Sequence, residues 1–400
     1  AVSRKKGVLD VAFVPIVRRG GKYYKLASFK MNIVRSPKTL TRALSVAAGK
    51  TAAERYASNS VLSQGRWVKI GITEDGVYRL TAADLRRMGF NDPSRVKLYG
   101  YGGHVQDEVI DADTDFDDLE EVPLYRDERG LLFFGKGLIS WSATDRRGRA
   151  THRVNTFAKQ ACYFLTEGDS PRTIEKAAVS GSPQKNLDYT PANVLYKKEE
   201  YAWYQSGRNF YESANYASSN SRTYQLPVVD PVASAGGSLK VSFTAHTTKD
   251  EGDSYVTPTV DGVKLSAMRI SWSGEYDAAK EGTQTYTLNT LHEGTTGIQV
   301  TLVSTAGVDG RLGYLELCYR RQLKMRDAFL YIRHTETVPS NFVIDANGRS
   351  GLKLWCLGRR GNPMTEYQGT WSGSTYTVPV SDPTVEYVAV DVNADFPSPS

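Results

Sequence analysis

The sequence predicts an all-β, multi-domain chain built from β-sandwiches, with one short helix near residues 82–88. Three observations carry that expectation. Short runs rich in Val, Thr and Tyr alternate in polarity, with Tyr alone numbering 24, and such residues favour a pleated, half-buried backbone. These runs are cut at strand-length intervals by Gly, Asp and Pro, with 35 Gly and 16 Pro in all. Only one stretch carries helix caps at both ends. The length of 400 residues gives room for two or three domains with real cores.

Taken in order, residues 1–60 read as an N-terminal β-hairpin and linker. Val11 to Val17 and Tyr23 to Val34 are β-rich, and Arg18-Arg19-Gly20-Gly21-Lys22 between them supplies the permissive backbone of a tight turn. Residues 61–200 read as a β-rich domain. Trp67 to Ile72 alternates with period two, a turn follows at Glu74-Asp75-Gly76, and Tyr78 and Leu80 continue the pattern. Thr81 is a good N-cap with Asp84 three residues on, and Gly89 stops the helix expected over Ala82 to Met88. Strands are expected at Val96–Tyr99, Glu121–Tyr125, Leu131–Phe134 and Ala161–Thr166.

Residues 201–400 read as a β-sandwich region ending in a linker. Arg222–Val229, Ser238–Thr247, Tyr255–Val260, Thr283–Asn289, Thr296–Ser304 and Arg311–Arg320 recur at strand spacing, followed by Asn341–Ile344, Leu352–Leu357, Ser374–Val378 and Val385–Asp391. The closing Phe396-Pro-Ser-Pro-Ser is linker-like, because proline donates nothing to a ladder.

A net charge of +6 is modest for this length, and no basic stripe interleaved with aromatics marks a nucleic-acid surface. No apolar run is long enough to span a bilayer, and no signal-peptide core opens the chain. A leader removed before Ala1 is the expectation. The three cysteines, Cys162, Cys318 and Cys356, are far apart and odd in number, which argues against a disulfide framework.

Four features raise chemistry. Asp111, Asp113 and Asp115 stand at the spacing of the first calcium-loop ligands, so calcium is the one cofactor the pattern suggests. The match stops there: Phe116 occupies the sixth position where the loop needs Gly, and Val122 the twelfth where it needs Glu. A solvated loop is the simpler reading. Cys162 and His152 suggest a thiol–imidazole pair, but all three cysteines lie in apolar runs that suit inert buried thiols. No catalytic residue is assigned. Gly100-Tyr101-Gly102-Gly103 lacks the Lys-Ser/Thr of a phosphate loop, so a turn with positive φ explains it better. Trp203, Tyr204, Phe210 and Tyr211 form an aromatic group that serves either inter-domain packing or a ligand or partner surface for sugar rings.

Several segments resemble the N-terminal region of the PorU-type sortases, the gingipain-like cysteine peptidases of the Bacteroidetes type IX secretion system. They are Gly65-Arg-Trp-Val-Lys-Ile, Gly76-Val-Tyr-Arg-Leu, Lys97-Leu-Tyr-Gly-Tyr-Gly-Gly, Tyr163-Phe-Leu-Thr-Glu-Gly-Asp169, Leu312-Gly-Tyr-Leu-Glu-Leu-Cys-Tyr-Arg-Arg and Val388 to Pro399. The likeness runs from about Tyr56 to the end. It implies a surface-exposed, outer-membrane-associated protein whose catalytic Cys and His lie in a peptidase domain downstream of Ser400. In that family the whole enzyme removes C-terminal sorting domains from secreted cargo and attaches the cargo to a surface glycan. This chain would then be its non-catalytic support. Its partners would be the peptidase domain, an outer-membrane β-barrel protein and secreted cargo; it would not span the membrane and would bind no nucleic acid. The alternative is a stand-alone carbohydrate-binding β-sandwich protein, for which the group around Trp203 would be the platform.

Overall fold

The structure, a computed structural model, describes residues 2–3, 6–7, 16–28, 57–105, 117–142, 149–205, 207, 209–305, 307–358, 363–381 and 385–400. The fold is all-β and multi-sheet, with a single α-helix among the described residues. The chain divides into two units, Ala1–Tyr56 and Ala57–Ser400. In the first, Ile16–Arg19 and Lys22–Lys25 pair antiparallel with Arg19 facing Lys22. Gly20 and Gly21 turn the hairpin at φ +54° and +79°, the left-handed pair that a two-residue hairpin loop demands.

The second unit is three two-sheet sandwiches. The first packs a sheet of Val68–Ile72, Ala161–Glu167, Val96–Tyr99 and Glu121–Val122 against one of Gly76–Leu80, Gly130–Gly135 and Tyr125–Asp127. Ile70, Leu98, Phe133, Tyr163 and Leu165 fill the space between them, all essentially buried. The helix Ala82–Arg87 closes one end. Its capping box is complete: the Asp84 N–H donates to Thr81 Oγ1 at 3.1 Å and the Thr81 N–H donates to Asp84 Oδ2 at 3.0 Å. Gly102, in the glycine-rich turn, sits at φ +85°, and a Cβ there would fall 2.7 Å from the Lys136 carbonyl oxygen. Only glycine fits.

The central sandwich spans Tyr189–Gln322. One sheet orders Tyr189–Lys197, Asp309–Gln322, Gly237–His246 and Lys280–Leu288; the other is built on Ser221–Val228, Gly294–Val303 and Ser254–Val260. Leu239, Val241, Phe243 and Ala245 alternate inward along one strand and meet Val256, Ile298 and Val300 from the opposite sheet. Each buried Val, Leu, Ile or Phe side chain among these contributes about 1.5–3 kcal/mol. The third sandwich, with Leu330, Ile332, Phe342, Leu354 and Val378 inside, also draws on chain that precedes the central one. Glu175–Lys176 and Lys185–Leu187 join its two sheets as parallel edge strands.

The central sandwich is therefore an insertion. Tyr189 faces Gln322 at its base, and the Leu323 N–H donates to the Asp188 carbonyl at 2.7 Å. The first and third sandwiches pack directly on each other: Val77, Leu132 and Phe134 on one side meet Trp355, Val388 and Val390 on the other. The closing residues lie along the first sandwich instead of leaving as a free linker. Ser400 exchanges both backbone hydrogen bonds with Gly71, at 2.9 and 2.8 Å, and the Arg79 N–H donates to the Pro397 carbonyl at 3.0 Å. Proline lacks a donor but keeps its acceptor, and an acceptor is what Pro397 supplies to Arg79.

Candidate functional site

One polar surface of the second unit is the outer face of the Tyr189–Lys197, Asp309–Gln322, Gly237–His246, Lys280–Leu288 sheet. Alternation sends Lys240, Ser242, Thr244 and His246 outward on one strand. On its neighbour the register shifts between Ser242 and Phe243, so that Ser242 faces Tyr314 and Phe243 faces Leu312, leaving Gly313 as the extra residue of a bulge. Without it, Arg311 and Tyr314 would point to opposite faces; with it, both reach the outer one.

Two segments cover that face. At one end lies the hairpin Ile139–Trp141 and His152–Val154. His152 Nδ1 sits 2.7 Å from Glu316 Oε2, both side chains nearly fully buried. Lys240 Nζ reaches Glu316 Oε1 at 3.3 Å and Thr151 Oγ1 at 3.0 Å, and Tyr314 packs edge-on to the imidazole at 4.5 Å. Burial pushes the Glu316 carboxyl up, but the His152 hydrogen bonds and the Lys240 charge outweigh it and hold the group below the ordinary range.

At the other end, residues 201–205, 207 and 209–211 lie across the sheet. The Arg311 guanidinium stacks 3.6 Å from the Tyr201 ring, and Trp203 meets Tyr201 edge-on at 5.3 Å. Tyr211, buried, donates to Glu281 Oε2 at 3.1 Å, while Ser242 Oγ donates to Glu281 Oε1 at 2.8 Å. Burial and the Glu281 charge push the Tyr211 hydroxyl up to about 12. Tyr204 leaves its ring exposed, although its hydroxyl accepts from the Ala278 N–H at 2.8 Å. Phe210 is half-buried. The four aromatic residues singled out in the sequence thus share one loop, and Trp203 and Tyr211 hold that loop to the sheet.

The other sequence candidates separate. Asp111, Asp113 and Asp115 lie outside the described residues. The two described acids of that run bind backbone near Ser60: Asp117 accepts from the Ala57 N–H at 2.6 Å and Asp118 from the Val61 N–H at 2.5 Å. Among the described residues no group of three or more His, Cys, Asp or Glu is placed to hold a metal ion. His152 is given to Glu316 and not to Cys162. The reading of Cys162 as a buried thiol is corrected: Ala161, Tyr163 and Leu165 take the inward positions, so Cys162 points outward and is half-exposed. Cys318 and Cys356 are buried, and burial pushes the Cys318 thiol up. Arg311, Glu281, Glu316 and Lys240 were not singled out in the sequence. A charged Glu316 inside Leu-Glu-Leu-Cys-Tyr was the available signal.

The fold defines a chain of stacked β-sandwiches whose polar sheet face is clamped by its own loops. No helix among the described residues is long and apolar enough to cross a membrane. No family model matches the chain, and no curated protein matches it. Its fold is shared with the crystal structure of dimeric latent PorU from Porphyromonas gingivalis, at a TM-score of 0.76 and 24% identity, over 86% of this chain. The chain spans about a third of that protein, 33%. A family 35 carbohydrate-binding module from Clostridium thermocellum also aligns with 32% of this chain and 97% of its own, but at 18% identity and a TM-score of 0.21 the likeness carries no argument.

Proposed function

We propose that this chain is the non-catalytic N-terminal region of a cell-surface sortase of the type IX secretion system. In this reading it supports and positions a cysteine peptidase domain that follows it, and presents surfaces to secreted cargo or to an outer-membrane partner. The carrying observation is the extent of the likeness: 86% of the chain superposes on 33% of dimeric latent PorU at a TM-score of 0.76. The ordered motifs from Gly65-Arg-Trp-Val-Lys-Ile to Asp395-Phe-Pro-Ser-Pro support the same reading. Mechanistically the contribution is presentation, because sandwiches hold loops in place at small entropic cost.

The test is the coding sequence beyond Ser400. A continuing frame that encodes a His and a later Cys within a gingipain-like domain supports the proposal. A stop codon there overturns it and leaves a free-standing surface protein, to be assayed for glycan binding.

A further inference from the structure

Residues 392–400 are held to the first sandwich through the carbonyl oxygens of Val392, Asn393, Ala394, Pro397 and Ser400, with the side chains of Asp395, Phe396, Ser398 and Ser400 adding further contacts. The Arg79 guanidinium donates to the Val392 carbonyl at 3.0 Å while its other arm is fixed by Asp127 Oδ1 at 2.7 Å. Arg129 spans the next turn, donating to the carbonyls of Val392, Asn393 and Ala394. The Phe396 ring lies 6.0 Å from the Arg79 guanidinium and packs on the cluster between the first and third sandwiches. Beyond it, Pro397 accepts from the Arg79 N–H, Ser398 Oγ donates to Asp84 Oδ2 at 3.1 Å, and Ser400 pairs with Gly71.

Two arginines, two strand edges and Asp84 therefore hold one segment, turned at 392–394, at five successive places. Arginine suits this task because its planar, fixed donors can serve several acceptors at once. The prolines suit it too: they restrict the chain to extended conformations before docking, which lowers the entropy lost in ordering it. The Gly71 and Arg79 backbone donors, on edges that face this segment, are satisfied by it.

We propose that residues 392–400 are a docking strap, held by Arg79, Arg129 and the Phe396 contact, that fixes the position and orientation of whatever is joined to Ser400 against the first sandwich. The strap deepens the accessory-region proposal and rests on it for biological meaning. Its physical claim stands apart: a domain following Ser400 rides on this body as one rigid piece. Arg79 and Arg129 are positioning residues.

The experiment fuses a fluorescent protein directly after Ser400 of the full chain and follows its time-resolved anisotropy. A matched fusion with a flexible Gly/Ser linker after Ser400 gives the free-tumbling reference. The direct fusion is expected to show a slow decay component that the linker fusion lacks. The double variant Phe396→Gly, Arg129→Gln is expected to lose that component while the thermal melt of the body is retained. A direct fusion that tumbles as fast as the linker fusion would overturn the strap. A folded double variant that keeps the slow component would overturn the role given to these residues. Because the reporter contains no peptidase, either failure is distinct from failure of the sortase proposal, which the downstream coding sequence decides.

Discussion

His152 of the first sandwich and Glu316 of the central one share a hydrogen bond of 2.7 Å in a nearly dry seam. Lys240 pairs with the carboxylate's other oxygen at 3.3 Å. The pair ties the central sandwich to the first, while the Asp188–Leu323 base ties it to the third, so the central sandwich is held at two points. Removing one member leaves the other desolvated and underpaired.

Glu316→Gln is expected to destabilise the chain by about 1.5–3 kcal/mol, the range for a hydrogen bond to a charged group. The sign with pH follows from the depressed folded pKa. The carboxylate's contribution is fully present above its ordinary value of 4.5 and is lost as pH falls through the lower folded value. The denaturation midpoint of the natural chain should therefore run parallel to that of Glu316→Gln from neutral pH down to 4.5 and drop more steeply below it. Parallel slopes there as well would remove Glu316 from the acid response.

Thr81→Ala removes the acceptor for the Asp84 N–H and one half of the capping box. The expected loss is about 1 kcal/mol, read as a lower urea midpoint with unchanged m-value. No shift in midpoint would mean that packing of Leu85 alone holds the helix.

Thiol labelling separates the cysteines. Cys162 is half-exposed, whereas Cys318 and Cys356 are buried. A small maleimide at neutral pH should modify Cys162 in the native chain and leave the other two until the chain is unfolded. Rapid native labelling that persists in Cys162→Ser would contradict the described burial.

The insertion geometry makes a further prediction. Residues 189–322 carry their own core and begin and end on paired strands. Expressed alone, they should fold cooperatively. The remainder, closed by a short flexible link between Asp188 and Leu323, should keep the shared cluster of Trp355 and Phe134. A remainder that melts without cooperativity would show that the seam at Glu316 is needed for folding.

Much of this fold was legible because its information is local. Thr81, Asp84 and Gly89 mark the helix within nine residues, and the central strands show clean alternation, as in Leu239, Val241, Phe243 and Ala245. Other elements were not. Tyr189–Lys197 was missed because it is half-buried along most of its length and carries Pro191, which masks any period of two. Glu175–Lys176 and Lys185–Leu187 are too short to signal anything, and their partners Thr365 and Ser340 lie far along the chain. Phe329–Arg333 went unmarked between the turn-rich residues on either side.

The site was less legible for the same reason. The aromatic loop was visible as composition, but its partners Arg311 and Glu281 come from two other strands, and a bulge at Gly313 decides which face Arg311 takes. The docked tail was read as a linker from its prolines. What holds it is the arginines of distant strands, which no local pattern announces.

The paired base of the central sandwich also determines how force would travel. Tension applied across the chain enters at Asp188 and leaves at Leu323, which already touch through one hydrogen bond. The direct contact of Phe134 with the Trp355 cluster carries the load between the outer bodies, and the central sandwich hangs beside that path as a side branch. Once the base bond parts, Tyr189 and Gln322 stand at the open end of an antiparallel pair, where bonds break one at a time like a zipper. The inserted sandwich is thus shielded from tension while the outer contact and the base bond hold, and opens strand by strand only after both have parted.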